Sequence, residues 1–333
     1  MTAPGAGASG EDALIARYFK PLATDPGAFN LVDDAAILKP SGDDIVVKTD
    51  AIVEGVHFLS GDPPDTVARK ALRVNLSDLA SKGAAPAGFL LTLALRSADD
   101  TWLAPFARGL GEDAKQYGCP LLGGDTVSTP GPLMISIAAF GRVPPGQMVR
   151  RSGARPGDRV VVTGTIGDAV LGLAILRGGR VAAALAGDAA ALEMLVDRYR
   201  VPKPRNALAL ALRDHAHAAM DVSDGLAGDL AKLCVASGVS AVIDAPCIPL
   251  SKAASALFAA GAVGMEALVA GGDDYEILCA IPEDEFERFA RAADIAGVTV
   301  SSIGTVIAGA SPPRFLDAQG RDIALPRLSY SHF

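Results

Sequence analysis

The sequence predicts a two-domain α/β (α+β) protein, on three observations. Apolar runs rich in β-branched residues are interleaved with segments of helical periodicity in both halves of the chain, the pattern of mixed sheet and helix layers rather than of a bundle or sandwich. At 333 residues the chain is long for one domain. Between the halves lies PPGQMVRRSGARPGD, Pro144 to Asp158, whose Pro, Gly and Arg suit an inter-domain connection. The boundary is placed near residue 146, giving domains 11–146 and 147–333 behind a small, polar, disordered tail at 1–10.

Half the residues are hydrophobic and a fifth are charged, enough apolar material for large cores. The formal charge of −8 argues against nucleic acid as the main partner. It is compatible with polyphosphate if divalent cations stand between the two sets of anionic oxygens. No apolar run reaches the ~18 residues of a membrane span, and no basic stretch precedes a hydrophobic one at the N-terminus, so a soluble, cytoplasmic protein is expected. Cys119, Cys234, Cys247 and Cys279 are widely separated and are read as small buried hydrophobes.

In the first half, Glu11 to Phe19 has helical spacing with acids at its start. Val32 to Leu38 and Asp44 to Phe58 read as paired strands around the turn SGD, carrying Asp33, Asp34, Asp50 and His57. Arg69 to Pro86 reads as a helix with two apolar faces. Ala68, Leu72, Leu76 and Leu79 make one, and Val67, Ala71 and Val74 make the other, on which Asp78 falls. A buried carboxylate needs a partner. Locally the choice lies between Lys82 at i+4 and a metal ion. A central strand at Gly88–Leu95, a helix from 99 to 118, a glycine turn at Pro120–Val127 ending in Asp125, and a strand at Leu133–Arg142 complete this half.

In the second half, a strand at Asp158–Gly164 leads to a helix at Ala169–Leu176, and an alanine-rich helix spans Ala182–Tyr199. AMDVSDGL places Asp221 and Asp224 around Ser223 before a helix from Leu226, which Ser223 or Asp224 could cap. A strand at Ser240–Asp244, a helix at 252–260, GGDDYEILCAI at Gly271–Ile281, a helix at 283–296 and strands at 299–306 and 313–316 follow. No Walker or dinucleotide fingerprint is present.

Asp33, Asp34, Asp50, Asp78, Asp125, Asp221, Asp224, Asp273 and Asp274 all sit in apolar or glycine-framed settings. The motifs offer only Lys48, Lys82 and Arg151 as nearby cations, so carboxylates that converge here call for divalent metal. Oxygen ligands without His or Cys clusters favour Mg²⁺, and Mg²⁺ with many carboxylates points to phosphoryl transfer.

DDAAIL, KTDAIVEGVHF, RKALRVNLSDLASKGAAP, LLGGDTV, RSGARPGD, MDVSDGL and GGDDYEIL occur in the order and at about the spacing of the thiamine-monophosphate kinase family, so the chain resembles that family over nearly its whole length. The resemblance implies an aminoimidazole ribonucleotide synthetase-like fold, with an N-terminal α/β domain that dimerises through its sheet into a homodimer and a C-terminal α/β domain. It implies that Asp34, Thr49, Asp50 and Asp78, with the Lys48 carbonyl, are Mg²⁺ ligands, as are Asp125, Asp221 and Asp224. It places Gly124, Asp125, Arg151 and Ser223 at ATP, and His57, Asp273 and Tyr330 at thiamine monophosphate. Asp78 and Asp221 are the most critical positions, and no general base is implied. Two departures stand out: Asp273 where the family commonly has Glu, and Phe106-Ala107 where many members have Phe-Tyr. Superfamily relatives that act on selenide or in hydrogenase maturation need a reactive Cys near one terminus. No Cys precedes Cys119, and the chain ends SHF.

Overall fold

The structure is a computed structural model and describes residues 13–33, 35–325 and 328. The expected tail at 1–10 and the positions Asp34 and Tyr330 lie outside the described residues. The chain divides into two units, one holding residues up to Leu79 with Ala85–Pro145, the other Ala80–Ala84 and residues from Gly146 onward.

The first unit contains β1 (Asp44–Val53), α1 (Pro64–Ser81), β2 (Ala85–Leu95), α2 (Asp100–Gln116), β3 (Leu121–Ser128) and β4 (Met134–Val143). They form a four-stranded sheet of order β1-β4-β2-β3. β4 runs antiparallel to both β1 and β2, whereas β2 and β3 are parallel and need the crossover that α2 supplies. Period-two alternation divides the faces. Val46, Ile52, Leu91, Leu93, Ile135 and Ile137 are buried on one, while Ile45, Val47, Leu90 and Val127 are exposed on the other. Both apolar sides of α1 are buried, as its spacing predicts.

Charge also joins α1 to α2. Asp113, fully buried, accepts from Arg73 Nε at 2.5 Å, Arg73 Nη2 at 2.9 Å and Arg69 Nη1 at 2.5 Å. Arg73 further stacks over the Tyr117 ring at 5.4 Å.

Four expectations fail in this unit. The described residues of Val32–Leu38 form no strand: after the 3-10 turn Pro26–Leu31 the Ile37 N–H donates to Gly27 O at 2.8 Å rather than to β1. The expected turn at Pro120–Val127 is strand β3. A Cβ on Gly124 would lie 1.9 Å from Leu91 O, so the glycine serves close approach to β2, not a bend. Strand β1 also stops at Val53, and residues 54–58 turn back through a Glu54–Phe58 bridge. Before them, Ile15–Phe19 is a π-helical segment where a regular helix was expected.

The second unit contains β5 (Arg159–Thr163), α3 (Asp168–Leu176), α4 (Arg180–Ala184), α5 (Ala189–Arg200), α6 (Ala209–His215), β6 (Ala218–Asp221), α7 (Leu226–Ser237), β7 (Val239–Asp244), α8 (Lys252–Ala259), α9 (Met265–Ala270), β8 (Ile277–Ile281), α10 (Phe286–Ile295), β9 (Val300–Ala308) and β10 (Arg314–Leu316). Its sheet has the order β10-β7-β9-β5-β8-β6. Only the β10–β7 pair is parallel. Both faces are buried. Val160, Val162, Met220 and Leu278 pack with α7, and Val161, Ala219, Cys279 and Ile281 pack with Leu212 of α6 and Phe289 of α10.

The expected helix at 182–199 is two, α4 and α5, because Asp188 leaves the helical path and its side chain caps α5 by accepting from Ala191 N at 3.0 Å. Helices α6 and α9 were not expected; both are shorter than two turns, too brief for periodicity to mark. Cys119, Cys234 and Cys279 are buried, but Cys247 is exposed and its thiol donates to Asp244 Oδ2 at 3.3 Å. Burial pushes the Cys119 thiol up to about 12. Among the described residues no helix is long and apolar enough to cross a membrane.

Replacing Asp113 tests the α1–α2 clamp. Asp113→Ala leaves Arg73 buried without its counter-charge and is expected to cost about 3–5 kcal/mol, read as a lower Tm in thermal melts. An unchanged Tm contradicts the clamp.

Candidate active site

In the first unit the sequence-predicted acids separate onto two faces of the sheet. Val46, Lys48, Asp50 and Ile52 share the buried side of β1, and Asp78 reaches that side from the last turn of α1. The Lys48 ammonium lies 2.9 Å from Asp78 Oδ2 and 3.2 Å from Asp50 Oδ1. The two bonded oxygens are therefore no more than ~6 Å apart, and at an effective dielectric near 20 their charges would repel by about 3 kcal/mol, less where water reaches Asp50. Burial opposes the Lys48 charge, but attraction to Asp78 and Asp50 outweighs it and raises its pKa. Lys82, the local alternative to metal, donates to Ala219 O at 2.6 Å.

Thr49 alternates onto the opposite face, where Asp125 also points through its pairing with Thr92. Asp50, Ile137, Leu91 and Gly124 form one row across the sheet. Asp50 and Gly124 are therefore at opposite edges, three strand spacings or about 14 Å apart. On the Asp125 face, a cavity of about 720 Å³ opens against β2 and β3. Asp33, Thr92, Gly124 and Asp125 provide its polar lining, and Phe19, Leu38, Leu90 and Phe140 are among its apolar walls.

His57 lies in the turn after β1. The Val53 N–H donates to His57 Nδ1 at 3.0 Å, which makes Nε2 the protonated nitrogen of the neutral ring. Lys70, almost fully buried, donates to His57 O at 2.9 Å and fixes the turn from behind. Glu54 anchors the same turn through Arg96 (Nη2 to Oε1, 3.2 Å) and Leu133 N (3.2 Å). The Arg96 hydrogen bond, against some burial, holds the Glu54 carboxyl down at about 2. Phe106 is fully buried and stacks on Trp102 at 4.7 Å, so it serves the core.

In the second unit, MDVSDGL and GGDDYEIL lie side by side. The β6–β8 ladder continues past Asp221 through Val222 N to Glu276 O (2.8 Å), Tyr275 N to Val222 O (2.8 Å) and Asp273 N to Ser223 O (2.8 Å). Asp273 and Tyr275 adopt positive φ, 70° and 50°. A Cβ on Gly272 would fall 2.5 Å from Ser223 O, so this glycine is needed for the approach of the two loops. Asp221, Ser223, Asp224 and Asp273 are thereby brought onto one pair of loops. Asp273 Oδ1 also accepts from the Tyr275 hydroxyl at 3.2 Å.

Neither Ser223 nor Asp224 caps α7 with its side chain; Gly225 holds that position. Asp229, one turn inside α7, reaches back to accept from Ser223 N (3.0 Å) and Asp224 N (2.9 Å), and Lys232 bridges Asp229 (2.8 Å) and Asp224 (2.5 Å). Burial pushes the Asp229 carboxyl up, with Lys232 opposing. Sequence reasoning missed both residues, although an acid in the apolar run GLAGDLAKL was the available signal. Arg151 is exposed in a loop organised by Ser237, whose Oγ donates to Arg151 O (3.4 Å) and accepts from Ala154 N (3.2 Å).

Asp274 turns away from this cluster. Fully buried, it accepts from Gly167 N at 2.8 Å at the start of α3, and burial pushes its pKa well above the carboxylate range, opposed by that bond and by Arg198. Next to it Glu276 is compensated by Arg198 (2.8 Å), Arg205 (2.6 Å) and Thr163 Oγ1 (2.6 Å). The expectation that Asp274 needs metal is therefore corrected. Its partners are distant in sequence, where local motifs do not show them.

Among the described residues no three His, Cys, Asp or Glu side chains form a ready metal cage. The donor chemistry nonetheless fits Mg²⁺: Asp50 and Asp78 converge as hard oxygen donors on one cationic point.

The two units carry the domain pair of AIR synthase related proteins, with the N-terminal domain matched over 32–143 and the C-terminal domain over 155–314. This defines the class as two-domain AIR synthase-like proteins. A thiamine-monophosphate kinase of Caulobacter vibrioides is 45% identical, covering 99% of this chain and 93% of that protein. The solved thiamine-monophosphate kinase of Stenotrophomonas maltophilia superposes with TM-score 0.80 at 35% identity, covering 94% of this chain and 96% of its own. AaThiL, solved complexed with AMPPCP and TMP, has TM-score 0.75 at 27% identity, covering 92% of this chain and 97% of its own. The chain belongs to the thiamine-monophosphate kinase family.

The turn that carries His57 gives a pH test. Because the folded pKa of Glu54 is depressed, its stabilisation is present above the ordinary value of about 4.5 and is lost as pH falls toward about 2. Wild type should melt above Glu54→Gln at neutral pH, and the gap should narrow below pH 4.5 and close near pH 2. A pH-independent gap contradicts the Glu54–Arg96 anchor.

Proposed function

We propose that this chain is a thiamine-monophosphate kinase, which moves the γ-phosphoryl group of ATP onto the phosphate of thiamine monophosphate and releases thiamine diphosphate and ADP. The observation that carries this reading is the full-length match to thiamine-monophosphate kinases, including a relative that holds an ATP analogue and TMP together. We read the reaction as the last step in forming thiamine diphosphate, in the cytoplasm.

The acceptor needs no general base. A phosphate monoester has its second pKa near ~6, so its oxygen is already an anion at neutral pH. The barrier is repulsion between anions, and bound Mg²⁺ would supply the neutralising charge for direct in-line transfer. We assign Asp50, Asp78, Asp125, Asp221 and Asp224, with Asp34, Thr49 and the Lys48 carbonyl, to hold it. Gly124, Asp125, Arg151 and Ser223 are assigned to ATP, where the planar guanidinium of Arg151 suits phosphate oxygens. His57, Asp273 and Tyr330 are assigned to thiamine monophosphate; the N–H at His57 Nε2 is a donor suited to a phosphate or hydroxyl oxygen. The domains are assigned as 11–146, for ATP, Mg²⁺ and dimerisation, and 147–333.

A homodimer is part of the same reading. Asp50 and Asp125 stand at opposite edges and on opposite faces of one sheet, so within one chain they serve separate ions of the several Mg²⁺ assigned here. The exposed Ile45, Val47, Leu90 and Val127 give that sheet an apolar face for a second copy. The mass in solution is expected to be twice that of one chain, and a monomer at micromolar concentration contradicts the pairing.

With ATP, Mg²⁺ and thiamine monophosphate, wild type should form thiamine diphosphate and ADP together. Asp221→Asn should keep its melting profile yet lose about 10²–10³-fold in kcat, the scale set by removing one electrostatic group from a polar transition state. Wild type that forms no thiamine diphosphate overturns the function, and Asp221→Asn with full kcat overturns the role of Asp221.

A further inference from the structure

The Lys48 ammonium stands between two carboxylates assigned to metal. It is 2.9 Å from Asp78 Oδ2 and 3.2 Å from Asp50 Oδ1. Its placement is built into the fold. Lys48 and Asp50 alternate onto the same side of β1, which fixes their spacing. Asp78 comes from the last turn of α1, a helix buried on both sides. The lysine side chain is only 31% exposed, so its charge is partly withdrawn from water and depends on these oxygens.

A magnesium ion binds carboxylate oxygen at about 2.0–2.1 Å and fills the space between the oxygens it joins. An ammonium in hydrogen-bond contact with the same two oxygens uses that space. It differs from the ion in carrying one charge rather than two, and in being tethered to the chain, so that its presence does not depend on metal concentration. A tethered cation also assembles the acid pair before any ligand arrives, removing a repulsion that would otherwise spread Asp50 from Asp78.

We infer that Lys48 is a resident cation that occupies one divalent-ion position between Asp50 and Asp78, so that this chain binds one metal ion fewer than its acids would otherwise hold. Asp50 and Asp78 would still hold the ions that the reaction uses. This rests on the reading of Asp50 and Asp78 as kinase-site acids, and it makes Lys48 a positioning residue.

The test counts Mn²⁺ ions on nucleotide-free protein by electron paramagnetic resonance, with thermal melts in parallel. Lys48→Met keeps the length of the side chain and removes its charge. It should bind one further Mn²⁺ per chain than wild type, and its Tm should rise more on adding Mg²⁺. Lys48→Arg should match wild type, and the added ion should vanish in Lys48→Met/Asp78→Asn. Equal ion counts in wild type and Lys48→Met overturn the inference, as does a Lys48→Met protein that no concentration of Mg²⁺ folds. Because ATP and thiamine monophosphate are absent, the count stands apart from the kinase assay: a wild type that makes no thiamine diphosphate overturns the proposed function and leaves the ion count to decide Lys48.

Discussion

Carboxylates cannot be gathered in a folded chain without something to carry their charge, and the structure is arranged around meeting that need in different ways. Guanidinium groups meet it where the acid is structural: Arg69 and Arg73 enclose Asp113, and Arg198 and Arg205 enclose Glu276. Backbone amides with Lys232 meet it at Asp229, whereas at Asp274 burial outweighs the Gly167 amide and pushes the carboxyl well above the carboxylate range. At Asp50 and Asp78 the Lys48 ammonium is shared between the two carboxylates.

Backbone contact, rather than side-chain chemistry alone, aligns the acids of the second unit. The β6–β8 ladder runs on beyond the strands into both acid loops, so Asp221, Ser223, Asp224 and Asp273 ride on paired backbone. Asp273 is held at φ 70°, a conformation that a non-glycine residue adopts at some cost and that aims its side chain away from the strand path. Asp229 then ties the first loop to α7. This rigidity suits a reaction whose catalysis is mainly positioning and charge.

Much of this was legible in the sequence. The two apolar faces of α1 identified Asp78 as an anomalous acid, and the motif order identified the family. The partners of the acids were not legible. Lys48 meets Asp78 because β1 alternates sides and α1 lies against it, a tertiary relation that i,i+4 spacing cannot convey, so locally only Lys82 offered itself as a side-chain partner. Asp274 carried the same glycine-framed signature as Asp273, yet one is buried on amides and its neighbour is half-buried at the loop. Gly124 read as a bend because glycine pairs usually mark turns, whereas here the demand came from Leu91 on the next strand. Val32–Leu38 had the composition of a strand and lost its pairing to a local fold-back on Gly27.

The central claim is that the γ-phosphoryl group passes directly to the phosphate of thiamine monophosphate. A single-turnover reaction with ATP radiolabelled at the γ-phosphate tests it most directly. The account predicts that all transferred label appears in the terminal phosphate of thiamine diphosphate, with none on the protein at any time. Label recovered as inorganic phosphate, or as a phosphoprotein that forms before thiamine diphosphate, would contradict it.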